Sequence, residues 1–462
     1  MTRTSARALA QRLLAPVDGA WLAALRVGYG LALAFSMWRF IHYGWIDDFF
    51  VRPKLFFKYW GFGWVEPLSA SGMYALFWAL LALSLCAAVG FLFRLSASLF
   101  ALGLVYVQLI DVSTYLNHYY LAALLGLLLA ASPAGKFWSL DAWLLAKLRG
   151  GEPRGAAVPT LWLWLFRLQV GVVYFFAGMA KLQSDWLLHA QPLRIWLGAS
   201  TDLPVIGPLF TLPWVPLAFA WGGFLFDTTI VGFLSYRRTR PFAYVVVLAF
   251  HAMTRLLFPI GMFPVIMSLA ALVFFSPSWP RRFLAMAPLA PISVPRSGQL
   301  GWLTRAGLLA AGLYAVVQVA LPLRYLAYGG NVLWHEQGMR FSWRVMVRAK
   351  GGGTTFVVHS PEKNRTFYVN PREYLTRVQE AEMSSQPDLI VQLSHHIARD
   401  FRARGFGEVE VRAESRVGLN GRRSAPLIDP AVDLTRVEDG LARAGFVRPA
   451  PLAAPPHTRP VL

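Results

Sequence analysis

Three groups of polar side chains lie at the ends of long apolar stretches, where few polar residues are expected. Asn117 and His118 begin one stretch, LNHYYLAALL. Lys181 ends a second, YFFAGMAKL, while His251 and Arg255 lie in a third, FHAMTRLL. Imidazoles and amines can move protons, and amides and guanidinium groups can bind polar ligand atoms. Because ionisable groups are costly in hydrocarbon, these residues are candidates for catalysis and binding.

Each of these groups also has an explanation without function. A lysine at a helix end can extend to the membrane surface, a histidine beside an asparagine can cap a helix, and an arginine can anchor one. Tyr174, Gly178 and Lys181, however, are spaced i, i+4, i+7 and share one helix face, on which the glycine permits close approach. An anchoring lysine requires no such neighbours, so this face is predicted to form part of a binding site.

The composition is that of a membrane protein. Hydrophobic residues make up 56% of the 462 residues and charged ones 15%, whereas soluble domains contain about 25% charged residues. The net charge of +20 would suggest nucleic-acid binding, but the basic residues concentrate between apolar runs, which indicates membrane orientation instead. No nucleic-acid partner is expected. The single cysteine, Cys86, excludes an intramolecular disulfide and a cysteine-based metal cluster.

The elements that would position the candidate residues are membrane-spanning helices. A bilayer core of about 30 Å requires about 20 apolar residues per helix. This length predicts about nine spans, at 21–41, 72–93, 95–112, 116–132, 160–181, 213–235, 241–256, 258–275 and 303–321. The seventh and eighth are short and nearly continuous, so tilted, re-entrant or broken helices are alternatives there.

The distribution of basic residues predicts the orientation. Residues 1–20 form a cytoplasmic segment, and Arg94, Arg237 and Arg281 then fall in inner loops, as the positive-inside rule requires. All candidate groups lie at the outer face. The connection 42–70 is also outside, and its basic and aromatic residues indicate an interfacial amphipathic segment. The predicted location is a bacterial inner membrane, with the C-terminal domain in the periplasm.

The fold class is therefore an α-helical integral membrane protein with an extracytoplasmic, β-rich α+β domain. Residues 21–321 form the membrane domain, 322–447 the outer domain, and 448–462 a Pro-rich tail that we expect to be disordered. In the outer domain, FSWRVMVRAKGGGTTFVVHS predicts a hairpin that turns at three glycines, FYVNP and EVEVRAES predict strands, and PREYLTRVQEAEMSS and QPDLIVQLSHHIARDFRARG predict helices.

Common motifs of soluble enzymes are missing from the sequence. It contains no GxGxxG after a strand, no P-loop, no GxSxG and no HExxH. His395 and His396 would point about 100° apart on a helix and lack flanking carboxylates, which indicates a solvated helix face. No metal site is predicted.

The stretch YFFAGMAKLQSDW resembles the signature of the vitamin K-dependent gamma-glutamyl carboxylases and of the related bacterial HTTM (horizontally transferred transmembrane) proteins. The segments LNHYYL, FHAMTRLLFPIGMF, SPSWPRR and GMRFSWRVMV resemble further family segments and lie in the same order along the chain. Together the five islands cover roughly residues 20–435.

This resemblance implies a nine-helix membrane enzyme. Such an enzyme oxidises vitamin K hydroquinone, or menaquinol, with O2 to the epoxide, and the base formed deprotonates a glutamate of a secreted peptide, which then adds CO2. By motif position, Lys181 matches the lysine that deprotonates the hydroquinone, and His118 and Asn117 match an NH pair near the reacting groups. Tyr174 and His251 match residues that line the pocket; Gly178 and Arg255 are predicted to lie beside them.

The chemistry of the residues is compatible with that implication. A lysine is protonated at neutral pH, so it can act as a base only where burial favours loss of its proton. A cationic His251 or Arg255 would also favour loss of the lysine proton, whereas the carboxylate of Asp185 would oppose that loss. The chain departs from the animal enzymes at Arg348, where they carry a histidine. Two alternatives stay open: a quinol oxidoreductase that forms epoxide without carboxylation, and a non-enzymatic lipid-binding or transport protein.

Overall fold

The structure, a computed structural model, describes residues 3–151, 157–287 and 301–456. Its membrane part is built from helices, because only internally hydrogen-bonded backbone is tolerated in hydrocarbon. The helices are α1 (Arg3–Leu14), α2 (Ala20–His42), α3 (Ala70–Val89), α4 (Phe93–Ile110), α5 (Asn117–Ala131), α6 (Leu140–Leu148), α7 (Thr160–Lys181), α8 (Ser184–Leu187), α9 (Leu193–Gly198), α10 (Val215–Ser235), α11 (Arg240–Leu257), α12 (Phe263–Ala271), α13 (Trp279–Phe283) and α14 (Trp302–Leu323). Strands β1 (Pro16–Asp18) and β2 (Ala157–Pro159) pair beside α1 and α7.

Six helices in the described ranges are long and apolar enough to cross a membrane: Ala20–His42, Ala70–Val89, Phe93–Ile110, Thr160–Lys181, Val215–Ser235 and Trp302–Ala327. Two shorter apolar helices cover Asn117–Ala131 and Phe263–Phe274. The prediction of several apolar helices followed by a region with a sheet is confirmed. The nine-span topology and the domain boundaries stay predictions.

Close helix packing near the N-terminus of the chain depends on small residues and on one buried cation. A Cβ on Gly30 would lie 2.7 Å from the Cβ of Ala88, so α2 and α3 approach closely at this glycine. Arg26 of α2 is 1% exposed and donates hydrogen bonds to the carbonyl oxygens of Ala88, Ala134 and Phe137 at 3.2, 2.7 and 2.9 Å. The guanidinium thereby satisfies carbonyl groups that have no access to water.

The outer domain is a four-stranded antiparallel sheet with helices packed on it. The strands β3 (Lys350–Ser360), β4 (Arg365–Val369), β5 (Glu410–Leu419) and β6 (Ala425–Pro426) lie in the order β4-β3-β5-β6, and the helices are α15 (Val332–His335), α16 (Arg377–Met383) and α17 (Pro387–Ala403). Burial alternates along β5, and its inner face packs with the apolar face of α17. The structure confirms three predicted elements: the strands predicted from FYVNP and EVEVRAES, and the long helix predicted from QPDLIVQLSHHIARDFRARG.

The predicted hairpin at the three glycines is wrong. β3 continues straight through Gly351, Gly352 and Gly353, and the turn lies after Ser360. A Cβ on Gly352 would lie 2.1 Å from the carbonyl oxygen of Arg416 on β5. The glycines therefore permit close approach of the neighbouring strand, a tertiary contact that overrides their local preference for turns.

The 42–70 connection contacts the outer domain and is mostly without regular structure, apart from a π-helix at Asp47–Val51. The backbone N–H of Lys58 donates to Gln392 Oε1 at 2.8 Å, and Gln392 Nε2 donates to the Lys58 carbonyl at 2.9 Å. Gln379 of α16 donates to the carbonyl of Leu55 at 2.7 Å. The segment thus docks the outer domain onto the helices, and its location at the membrane surface stays a prediction.

Two smaller expectations also need correction. His395 and His396 are half-buried, not solvated: His395 Nε2 lies 3.1 Å from the Leu434 carbonyl, and the His396 ring packs edge-on against Tyr374. The Pro-rich tail is not free over its described part, because Arg422 Nε donates to the Ala453 carbonyl at 2.7 Å. Its last residues, 457–462, lie outside the described residues.

Candidate functional site

Lys181, the last residue of α7, points into the helix bundle. Its side chain is 6% exposed, and Nζ donates to Asp227 Oδ2 at 2.6 Å and to the Ala177 carbonyl at 3.1 Å. Asp227 lies in the middle of α10 and is 5% exposed. A lysine that merely anchors a helix would extend to the surface. The structure instead shows a buried ion pair between two apolar helices.

Asp227 was not among the residues selected from the sequence. A carboxylate inside the apolar stretch WGGFLFDTTIVGF is itself a functional indicator, so the composition of that span could have identified it. Asp185, which was expected to oppose loss of the Lys181 proton, has its carboxylate bound by the outer domain. Asp185 accepts from Arg422 at 2.6 and 2.7 Å and from Asn420 at 2.8 Å, both in the outer domain.

Tyr174 and His251 share the chamber of Lys181. The Tyr174 hydroxyl lies 3.0 Å from His251 Nε2, and both side chains are buried. Trp186 covers the other side, with its ring centroid 5.2 Å from Lys181 Nζ and its indole N–H donating to the Ala220 carbonyl at 2.8 Å. The chamber has a volume of about 90 Å³, which leaves no room for a fused aromatic ring system beside the lysine.

His118, Asn117 and Arg255 line a second, larger cavity. It has a volume of about 640 Å³, within the usual range for small-molecule sites, and its wall is mostly apolar. Arg39 and Gln108 are further polar residues in its lining. The structure therefore divides the predicted site residues into two neighbouring groups.

One layer of side chains separates the large cavity from the lysine chamber. Four residues line both spaces: Ile260, Phe263, Val345 and Met346. The first two lie at the α11–α12 connection, and the other two belong to the segment that leads into the outer domain. The site is thus assembled from both regions of the chain.

A third cavity, the interdomain cavity, adjoins the other two and is strongly charged. Its volume is about 640 Å³, and its lining includes Arg340, Arg344, Arg348, Lys350, Glu336 and Glu382. Glu336 pairs with Arg348 at 3.0 Å and with Lys350 at 2.9 Å. Arg344 packs its guanidinium 4.1 Å from the Tyr325 ring centroid, and its buried Nε has no hydrogen-bond partner among the described residues. Four cationic side chains against two acidic ones give this lining a net positive charge, which favours binding of a carboxylate.

Gly178 lines neither the lysine chamber nor the larger cavity among the described residues, contrary to the expectation of a pocket position. A Cβ at this glycine would lie 2.6 Å from Thr228 Cγ2 and 3.3 Å from the backbone carbon of Asp227. Gly178 therefore permits the close approach of α7 and α10 that places Lys181 opposite Asp227.

The Gly178→Ala variant tests this role. We expect its added methyl group to force the two helices apart and to lower the free energy of unfolding by about 1–3 kcal/mol. The control is Gly171→Ala on the same helix, where a Cβ would lie 3.7 Å from Val231, an ordinary contact. Thermal unfolding in detergent measures both variants. Equal melting temperatures would contradict a packing role for Gly178.

Comparison with known families gives two adjoining matches. Residues 14–279 match the HTTM domain, and residues 304–452 match the lumenal domain of vitamin K-dependent gamma-carboxylase. The chain belongs to the vitamin K-dependent gamma-carboxylase family with an HTTM domain. The first match contains Lys181 and Asp227, and the second contains the charged residues of the interdomain cavity. No solved structure matches the chain.

Membership of the gamma-carboxylase family agrees with the chemistry of the cavities. Among the described residues, no group of three or more His, Cys, Asp and Glu side chains could hold a metal ion, and the absence of a metal stays a prediction. The large apolar cavity has the size and lining suited to a small apolar ring, and His118 and Asn117 are among the few polar residues of that lining. The family implies vitamin K hydroquinone as the cosubstrate.

Proposed function

We propose that the protein is a carboxylase-like membrane enzyme that couples oxidation of vitamin K hydroquinone by O2 to carboxylation of peptide glutamate with CO2. The observation that supports this most strongly is the buried Lys181–Asp227 ion pair beside a large apolar cavity, in a chain of the gamma-carboxylase family. A base and a cavity for an apolar ring are the two requirements for deprotonating a hydroquinone.

Lys181 and Asp227 act together in this proposal. The ammonium group cannot accept a proton as it stands, but the carboxylate 2.6 Å away can take one from it. The amine that results accepts the proton of a hydroquinone hydroxyl, so the pair gains one proton in total. The apolar surroundings and Trp186 exclude water, which would otherwise solvate both charges.

The remaining residues bind and orient. His118 and Asn117, at the start of α5, present polar atoms to the large cavity, where they hold the reacting oxygen atoms. Tyr174 and His251 form a hydrogen bond at 3.0 Å that fixes both side chains beside the lysine. Bound hydroquinone supplies, on oxidation by O2, the base that removes the glutamate γ-proton before CO2 is added.

The peptide glutamate would enter through the interdomain cavity. That cavity adjoins the large one, because Ser113, Tyr115, Asn117, Met346 and Glu382 line both. The net positive charge of its lining favours the glutamate carboxylate. A secreted Glu-containing peptide and the lipid bilayer are therefore the proposed partners.

A second candidate function is epoxidation without carboxylation. It is favoured by Arg348, which stands where the animal enzymes carry a histidine and which pairs with Glu336 at 3.0 Å. Incubation of the purified protein with vitamin K hydroquinone, O2, labelled CO2 and a Glu peptide separates the possibilities. Epoxide together with labelled peptide supports the carboxylase, and epoxide alone supports the second candidate. If neither forms, a lipid-binding or transport role is the better account.

We also propose that the outer domain lies outside the cytoplasm, in the periplasm of a bacterial cell. With Cys86 replaced by serine, a cysteine at Tyr368, which is 72% exposed in the outer domain, should react with an impermeant thiol reagent in intact spheroplasts. A cysteine at Arg237, between α10 and α11, should react only after the membrane is permeabilised. The opposite labelling would reverse the orientation.

A further inference from the structure

Met346 occupies the point where the three cavities meet. It lines the large apolar cavity, the lysine chamber and the interdomain cavity, and no other described residue lines all three. We infer that Met346 is the movable part of the layer that separates the lysine chamber from the two other spaces and that it controls passage between them. The separation itself is a structural claim. The effect of Met346 on the reaction rests on the proposed function, in which Met346 acts by positioning other groups.

The backbone that carries Met346 is held in an unfavourable conformation. Phe341, Trp343 and Met346 have φ angles of 60°, 58° and 53°, in the left-handed region that non-glycine residues rarely adopt. Such conformations persist where surrounding contacts enforce them, and they concentrate at functional sites. Three within six residues mark this segment as one whose shape is imposed by its place in the protein.

The contacts that enforce this shape come from the membrane domain. Trp343 is fully buried, and its ring stacks on that of Tyr120 with centroids 4.8 Å apart. The backbone N–H of Phe341 donates to the Tyr115 hydroxyl at 2.9 Å. The segment thus packs against the start of α5, and this contact helps to place Met346 at the junction.

Met346 is the flexible member of the separating layer. Its neighbours there include Ile260 and Val345, whose β-branched side chains have restricted rotamers, and Phe263, a rigid ring. An unbranched thioether has three rotatable bonds and adapts to changing shapes. Rotation of this one side chain therefore connects the lysine chamber to the large cavity without movement of the backbone.

This placement has a chemical consequence for the proposed reaction. The hydroquinone ring fits the large cavity but not the chamber of about 90 Å³, so its hydroxyl must meet Lys181 through the shared layer. The interdomain cavity is polar and would admit water with the peptide. Met346 thus allows contact between hydroquinone and base while it keeps that water from the Lys181–Asp227 pair.

The separation can be tested without reference to activity. In a Cys86→Ser background, Gly223→Cys places a reporter in the chamber, since a Cβ there would lie 3.9 Å from Lys181 Cε and 3.7 Å from Trp186 Cζ2. We expect Met346→Ala to accelerate its reaction with a small charged methanethiosulfonate by at least about tenfold. Met346→Leu, which conserves volume, should keep the slow rate.

The matched control is Met339→Ala, because Met339 lines the interdomain cavity but neither of the other two. It should leave the labelling rate unchanged. If Met346→Ala unfolds the protein, Met346→Val provides a smaller truncation with an intermediate expected rate. If the Gly223→Cys reporter is labelled at the same rate whether Met346 is kept or replaced by alanine or valine, the inference is overturned, whatever the enzyme does.

A second measurement addresses the reaction. In the proposed reaction the base formed by hydroquinone oxidation lies in the large cavity, and truncation of Met346 leaves more room there for water from the interdomain cavity. Protonation of that base by water consumes hydroquinone without transfer of CO2, so Met346→Ala should lower the ratio of carboxylation to epoxidation at saturating substrates. A variant that is merely less stable would lower both rates and keep their ratio. If labelling changes as expected but the unmodified protein shows no turnover, the proposed function fails while the separating role of Met346 stands.

Discussion

Replacement of Lys181 by arginine is expected to lower hydroquinone epoxidation about 10²–10⁴-fold while the protein stays folded, the usual effect of losing a general base. Arginine keeps the positive charge opposite Asp227 but remains protonated in proteins, so it cannot accept the hydroquinone proton. A lysine that only anchored α7 would be replaced without loss. The measurement is the initial rate of epoxide formation at saturating hydroquinone.

Two further variants complete this test. Lys181→Ala should lower the rate of epoxidation by a similar factor. It should also lower the free energy of unfolding by about 3–5 kcal/mol, because it leaves the buried carboxylate of Asp227 unpaired. Lys147→Arg, in α6 away from all three cavities, is the matched control and should be neutral. Near-normal epoxidation by Lys181→Arg would contradict the assignment of Lys181 as the general base and would favour a lipid-binding role.

Replacement of Arg422 by alanine is expected to weaken the attachment of the outer domain, with a loss of about 3–5 kcal/mol of unfolding free energy. Arg422 donates two hydrogen bonds to Asp185 at 2.6 and 2.7 Å, and the side chains of this pair are 11% and 8% exposed. Without the guanidinium, the buried carboxylate loses two of its hydrogen bonds and keeps the one from Asn420. Because Asp185 precedes Trp186, which covers Lys181, we also expect slower epoxidation.

The neighbouring Arg423 provides the matched control. It is exposed, so Arg423→Ala should leave both the stability and the rate of epoxidation unchanged.

Burial by itself raises the pKa of the Asp185 carboxyl, but the hydrogen bonds from Arg422 and Asn420 together hold that pKa below its usual value. The contribution of a group with a lowered pKa is present above its unfolded value, about 3.9, and is lost in acid. The stability difference between the parent protein and Arg422→Ala should therefore shrink below about pH 4, and equal stability at neutral pH would contradict the interpretation.

The amino-acid sequence alone indicated which regions lie in lipid and which in water, and whether most elements are helices or strands. Apolar runs of membrane length predict helices because backbone polar groups in a bilayer must be hydrogen-bonded within the segment. Period-two alternation predicts the strand β5. These properties follow from local composition. The position of Lys181 at the end of an apolar helix and its family motif were visible for the same reason.

Only the tertiary structure decided which groups meet. Lys181 pairs with Asp227, 46 residues away, whereas Asp185, its neighbour in the chain, turns to Arg422, 237 residues away. Gly178 was predicted to open a pocket and instead lets two helices touch. Met346 lies in the family segment GMRFSWRVMV, but nothing in that segment indicated that it would lie where three cavities meet. Ion pairs, cavities and close helix contacts depend on how distant elements pack, and periodicity within one element contains no information about its partner.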